Sequence, residues 1–438
     1  MSKFRIGALL AVATAVLMGS TVSVVTAAEP KVGSTCTKVG AFYDTPNKRY
    51  VCNAEGKKKV WRVWNAASHS APASKPSTMP KKTNFKAPMP ITLPITQNGA
   101  ITFANATANY ASIPKTAWQR VQDAISANQP VNIPTTISIG PNTDTTVQQI
   151  TTLLQKAYRL FNGFQQPPSF TALVYNSKDE AWAETEWPKL ALQQKLTTDP
   201  SSRINQLRAG CSFSAGIATE CWGGMAQVFS GTDAGFAFMG VQSPYWSASS
   251  LQAGPISQVV HEYTHNVQMA QWIGTKLKPG EYSRSDSFHS TTPCWFSEGQ
   301  PNAIGIPIAA TDLNSYMQGR DNSIRRKINE SGSSKPALTN DGLTANAITS
   351  FLYGQSIATC YNPTTNNDWQ LGYSIGYAAT EVLVAIGGPQ STMALLAQTA
   401  SGLTWAEAFQ SVYGISWKDG AEILGKVLEA EYLAKPMN

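Results

Sequence analysis

Ile256-Ser257-Gln258-Val259-Val260-His261-Glu262-Tyr263-Thr264-His265-Asn266-Val267-Gln268-Met269-Ala270 is the stretch whose reading decides the fold. Ile256, Val259, Val260, Tyr263, Val267 and Ala270 recur at the spacing of a helix and leave it little polar surface, so a buried helix is predicted. On such a helix His261 and His265 stand four apart, project from one face and can reach a single ion. Glu262 falls beside that ion rather than on it, where it can take a proton from water. The chain holds only four histidines, so composition alone does not generate this pattern. The plainer alternative is a pair of helix-face histidines with no metal.

Two histidines leave a catalytic zinc one protein ligand short. Glu281, Asp286 and Glu298 are the acidic candidates downstream, with His289 beside them. Trp295-Phe296-Ser297-Glu298-Gly299 resembles the Trp-x-x-Glu-Gly segment of gluzincin metallopeptidases, the group that includes thermolysin and aminopeptidase N. The resemblance implies that Glu298 opens a second helix packed on the first. It also implies one Zn2+ per chain, held by His261, His265 and Glu298 with water in the fourth place. His289 is the rival ligand, and it reads otherwise as a substrate-reaching or ordinary surface residue. The stretch between His265 and Glu298 is longer than in thermolysin or aminopeptidase N, and it reads as polar and loop-like. The thermolysin-type Asn-Glu-x-x-Ser-Asp pattern is absent, with Asn302 at the place of its aspartate. Asn302 is then either a hydrogen-bond partner of His261 or a helix-surface amide.

Gly372-Tyr373-Ser374-Ile375-Gly376-Tyr377 is similar to the Tyr-x-x-Gly helix of the aminopeptidase N family. That similarity implies a hydroxyl on Tyr373 aimed at the oxyanion of a tetrahedral intermediate, where negative charge builds. The competing reading makes Tyr373 and Tyr377 packing aromatics one helical turn apart. Gly223-Gly224-Met225-Ala226-Gln227 resembles the Gly-Ala-Met-Glu-Asn strand of aminopeptidases, with Ala226 in place of its acidic residue. The stretch therefore reads as an edge strand open to an extended peptide rather than as a trap for a free amino terminus.

Residues 1–28 read as a secretory signal: Lys3 and Arg5, an apolar run from Ile6 to Met18, then small residues up to Ala27 and Ala28. No later segment is long and apolar enough to cross a bilayer, so a secreted protein is expected. Six cysteines suit an oxidising compartment. Pairing is expected within local groups (Cys36 with Cys52, Cys211 with Cys221, Cys294 with Cys360), although six cysteines allow about 15 connectivities. The formal charge of +7 falls by two with the signal, and much of the rest sits in Lys57-Lys58-Lys59, Arg62 and Lys81-Lys82. Runs of this kind are solvated faces or linkers, or attach loosely to an anionic cell wall or polysaccharide. No motif points to nucleic acid.

Residues 29–66 form a small Cys- and Trp-containing N-terminal module, 67–92 a Ser/Pro/Lys-rich linker that holds His69, and 93–438 a globular domain. In that domain strands are predicted at 131–139, 170–175, 226–229 and 235–241, with helices at 146–161 and 180–196. Helices are predicted near 300–328, 343–353, 371–386, 389–400, 404–412 and 417–434. A mixed sheet half, the metal helix and a helical C-terminal half make an α+β layout, and the resemblance implies a thermolysin-like zincin fold. The expected function is a secreted zinc metallopeptidase with Glu262 as general base and Tyr373 as oxyanion donor. The alternatives are a zinc hydrolase of another substrate and a surface- or glycan-binding protein with a structural zinc site. Specificity, and the choice between endo- and exopeptidase, are not written in the sequence.

Overall fold

A computed structural model describes residues 30–37, 42–44, 49–63, 85–196, 204–209, 211–221, 224–241, 254–277, 283–329, 343–354 and 372–434. The signal-like segment, most of the linker and Cys360 lie outside these residues. Two units are present, one within residues 1–80 and one within 81–438.

The first unit is an antiparallel sheet of β1 (Phe42–Asp44), β2 (Arg49–Glu55) and β3 (Lys58–Val63). Glu55 pairs with Lys58 across a two-residue turn, which Gly56 closes at φ +59°. A disulfide joins Cys36 to Cys52, and Thr35 bridges to Val60 on the other side of β3.

The second unit is built on two strands with no polar face. β5 (Phe170–Tyr175) and β9 (Gly235–Gly240) are buried along their whole length, as central strands of a covered parallel sheet must be. With β4 (Thr135–Ile139) and β8 (Gly224–Val228) they form a sheet of order β4-β5-β9-β8. β4, β5 and β9 run parallel, and β8 is an antiparallel edge. Before the sheet comes α1 (Ile113–Ala127), a helix not among those expected, which buries Ile113, Ala117, Val121 and Ile125 at helical spacing, and α2 (Val147–Leu160) follows β4. Thr146 caps α2 reciprocally with Gln149.

The strands' alternating residues divide the core. Ala172, Val174, Ala237 and Met239 face α2 and α5 (Gly254–Ala270). Leu173, Tyr175, Phe236 and Phe238 face a second cluster that includes residues of α3 (Glu180–Gln193) and α4 (Ile204–Ala209). Beyond α4 lies a two-stranded ribbon, β6 (Cys211–Ser214) and β7 (Ile217–Cys221), closed by the Cys211–Cys221 disulfide. Packing on the larger core reaches back to Phe85, Ala87 and Met89.

After α5 the described residues are helical: α6 (Arg284–His289), α7 (Cys294–Ala309), α8 (Leu313–Asn329), α9 (Ala345–Gly354), a π-helical turn (Gly372–Gly376), α10 (Tyr377–Gly387), α11 (Pro389–Ala400), α12 (Trp405–Tyr413) and α13 (Trp417–Ala434). The single helix expected near 300–328 is two. Ala310 turns extended, and Asp312 accepts from the Ser315 amide to start α8 afresh. Nearly every residue of α7 is buried, the mark of a helix enclosed on all sides. Cys294 at its start is disulfide-bonded, to a partner outside the described residues. Among the described residues no helix is long and apolar enough to cross a membrane.

Candidate metal centre

Helix α5 carries His261, Glu262 and His265, and α7 carries Glu298; all four side chains are buried. Glycines set how closely the elements approach. A Cβ on Gly305 of α7 would meet Ser257 O of α5 at 2.9 Å. One on Gly299 would lie 2.3 Å from the Gly376 carbonyl, and one on Gly376 would lie 2.0 Å from Trp295 O. Helix α7 is thus wedged backbone to backbone between α5 and the π-helical turn, and this brings Glu298 to the imidazoles. Asn266 pins α5 to the sheet: it accepts from Phe236 N at 2.9 Å and donates to Phe236 O at 3.2 Å.

His261 Nε2 and His265 Nε2 are 3.1 Å apart, and Glu298 Oε2 lies 3.5 and 3.4 Å from them. A tetrahedral ion with bonds of about 2.0–2.1 Å separates its ligand atoms by about 3.3 Å, so the three atoms form one face of such a tetrahedron. The group of His261, His265 and Glu298 can hold a metal ion.

Hydrogen bonds fix which nitrogens face that point. His261 Nδ1 meets Asn302 Oδ1 at 2.9 Å, and His265 Nδ1 meets Gln268 Oε1 at 2.8 Å. The amide orientations follow from their other ends. Asn302 Nδ2 donates to Tyr373 O at 3.1 Å; Gln268 Nε2 donates to Gln300 Oε1 at 2.9 Å and to Ser297 O at 3.2 Å. An amide oxygen only accepts, so each imidazole carries its hydrogen on Nδ1 and, when neutral, turns a bare Nε2 inward. Two lone pairs and a carboxylate then converge, an arrangement that calls for a cation.

The titration of the metal-free site obeys the same need. Burial disfavours the His265 imidazolium, yet Glu298 beside it, with Glu262, lifts its pKa to about 9. Burial would raise Glu298, but the imidazoles of His265 and His261 hold it well below the usual carboxylate range. Glu262 is pushed up by burial, partly offset by the imidazoles. Its carboxylate lies against the edge strand: a Cβ on Gly224 would fall 2.0 Å from Glu262 Oε1 and 3.0 Å from Gln258 Nε2.

The half-buried Tyr373 sits in the π-helical turn, its ring nearly parallel to that of His261 at 6.1 Å between centroids. Such turns are frequent at functional sites. Asn302 bonds His261 and is no surface amide. His289 ends α6 against Phe288, outside the convergent group, and burial pushes its pKa down to about 4. Asp286 is occupied as the partner of Ser283 in the cap of α6, and Glu281 lies outside the described residues. Sequence reasoning passed over Gln268, Gln300 and the close approach of Gly224 to Glu262, because an amide one helical turn from a histidine, like a glycine against a distant helix, has no signature until the neighbouring element is in place.

No protein-family model, curated protein or solved structure matches this chain.

Proposed function

We propose that the chain is an exported, zinc-dependent metallopeptidase of the gluzincin type, with a thermolysin-like arrangement around its metal helix. The observation that carries this reading is the convergence of His261, His265 and Glu298 at tetrahedral spacing with Glu262 one residue away, against the edge strand β8. A purely structural zinc site normally closes its fourth position with protein and has no use for such a base. The Cys36–Cys52 and Cys211–Cys221 disulfides suit export to an oxidising compartment.

Zinc bound by His261, His265 and Glu298 would supply a polarised carbonyl and a water acidified to a pKa of about 7. The chain's residues do the rest. An extended substrate adds a strand to the edge of β8 that has no strand partner among the described residues, which carries its backbone past Glu262. Burial raises the Glu262 carboxyl above the ordinary carboxylate value, which suits a group that takes a proton from the attacking water and returns it to the departing amine. Tyr373, whose ring lies nearly parallel to that of His261, donates to the developing oxyanion.

Zinc content and hydrolysis of a mixed peptide library test the proposal together. The wild type should hold one zinc and cleave in a chelator-sensitive way. Glu298→Ala should lose the zinc and His289→Ala should keep it. Zinc without cleavage would transfer the reading to a hydrolase of another substrate, and full activity in Glu262→Gln would remove Glu262 from the mechanism.

A further inference from the structure

The two imidazoles hydrogen-bond to amides where carboxylates would make them stronger metal ligands. The hydrogen bonds give a reason. Each amide has two ends in use, and a carboxylate can serve only one. Gln268 accepts from His265 and donates to Ser297 O, the carbonyl just ahead of Glu298. Asn302 accepts from His261 and donates to Tyr373 O, the carbonyl of the residue whose ring lies nearly parallel to that imidazole. Gln300 extends the first chain to Thr392 on α11 at 2.9 Å. Gln268, Gln300 and Thr392 are fully buried, so no solvent substitutes for a lost donor.

We infer that Asn302 is a positioning residue that links occupancy of the metal centre to the placement of Tyr373. An ion on His261 Nε2 fixes the ring, the ring's Nδ1 fixes the Asn302 oxygen, and the amide nitrogen then holds the carbonyl of the π-helical turn. The backbone of the turn is pressed against α7 at Gly299 and Gly376, and Asn302 adds a polar hold on Tyr373 O. The inference rests on the metal reading of the site but not on the substrate being a peptide.

Asn302→Asp separates the two jobs, because a carboxylate still accepts from His261 but repels Tyr373 O. In a competition between protein and a chromophoric chelator, Asn302→Asp should bind zinc about tenfold more tightly than wild type, and Asn302→Ala about tenfold more weakly. Hydrogen exchange at residues 372–376 supplies the second reading. Added zinc should slow it in the wild type and leave it unchanged in both variants. With a cleavable substrate, Asn302→Asp should lower kcat about tenfold at unchanged KM, and should add little to the loss in Tyr373→Phe. A merely structural residue would weaken zinc and stability together in both variants, and that result would overturn the inference. Zinc protection of the turn persisting in Asn302→Asp would overturn it too, as would weaker zinc binding in that variant. Failure of the peptidase reading looks different: zinc bound and the turn protected in the wild type, with no peptide cleaved.

Discussion

Two clusters of charge lie buried in the larger unit, and they are built on opposite principles. In the first, Arg320 of α8 meets both carboxylate oxygens of Glu381 on α10, at 2.7 and 2.8 Å from Nε, and Glu431 of α13 at 2.6 Å from Nη2. Tyr316 donates to Glu381 as well. One guanidinium faces two carboxylates, and the knot ties three helices together. In the second, His261, His265 and Glu298 turn only acceptors inward once the imidazoles are neutral. Arginine cannot shed its charge in a protein, whereas histidine does so near neutrality. A knot of fixed charges holds a fold. A cluster whose charge can leave is able to admit an ion in its place.

Substitutions can break that contrast. The largest effect is expected at Glu262, which contributes neither to the knot nor to the ligand set. Glu262→Gln should lower turnover by about 10³-fold while zinc content by elemental analysis stays at one per chain. Next comes a paired comparison. Glu381→Gln leaves Arg320 short of a buried counter-charge and should cost about 3–5 kcal/mol in urea unfolding, equally at pH 6 and pH 9. Glu298→Gln in the metal-free protein should cost less than about 1 kcal/mol at pH 9, because His265 simply releases its proton. Equal losses in the two variants at pH 9 would erase the distinction.

Gly224→Ala tests whether the edge strand and the base share one space. The added methyl collides with Glu262 Oε1, so turnover should fall about 10- to 100-fold with zinc retained. The smallest effect is a slope. His265 must lose its proton to bind metal, so zinc affinity should rise about tenfold per pH unit through neutrality and level off near the His265 pKa of about 9. Stability of the metal-free protein runs the other way. The raised His265 pKa makes its contribution complete below the ordinary pKa of 6.5, and that contribution disappears as pH climbs through about 9. The depressed Glu298 adds stability above the usual carboxylate range that is lost on acidification. Thermal melts across pH, with and without zinc, read both trends.

The metal helix was legible because its information is local: six apolar residues at helical spacing and two histidines four apart lie within 15 residues. Strands β5 and β9 were legible for a similar reason, since a strand buried on both faces needs an unbroken apolar run. The rest depends on partners far along the chain. Gln268 gains its meaning from Ser297 and Gln300, Asn302 from Tyr373, and Gly224 from Glu262, none of them a sequence neighbour. The break between α7 and α8 was missed because the apolar pattern continues across it, while the signal that wins, Asp312 capping Ser315, is a local polar contact. Tyr373 was found only through a resemblance, and the π-helical geometry that sets it beside His261 has no sequence period of its own.

The glycine contacts carry a further consequence, for ancestry. Every residue other than glycine brings a Cβ, so positions 299, 305 and 376 admit no substitute while the backbones stay where they are. Drift can rewrite the apolar faces of α7, trading one aliphatic residue for another, but cannot touch those three. A distant descendant of the same ancestor should therefore betray itself less by overall identity than by a sparse signature: His-Glu-x-x-His-x-x-Gln, then Trp-x-x-Glu-Gly-Gln-x-Asn-x-x-Gly, then Tyr-x-x-Gly.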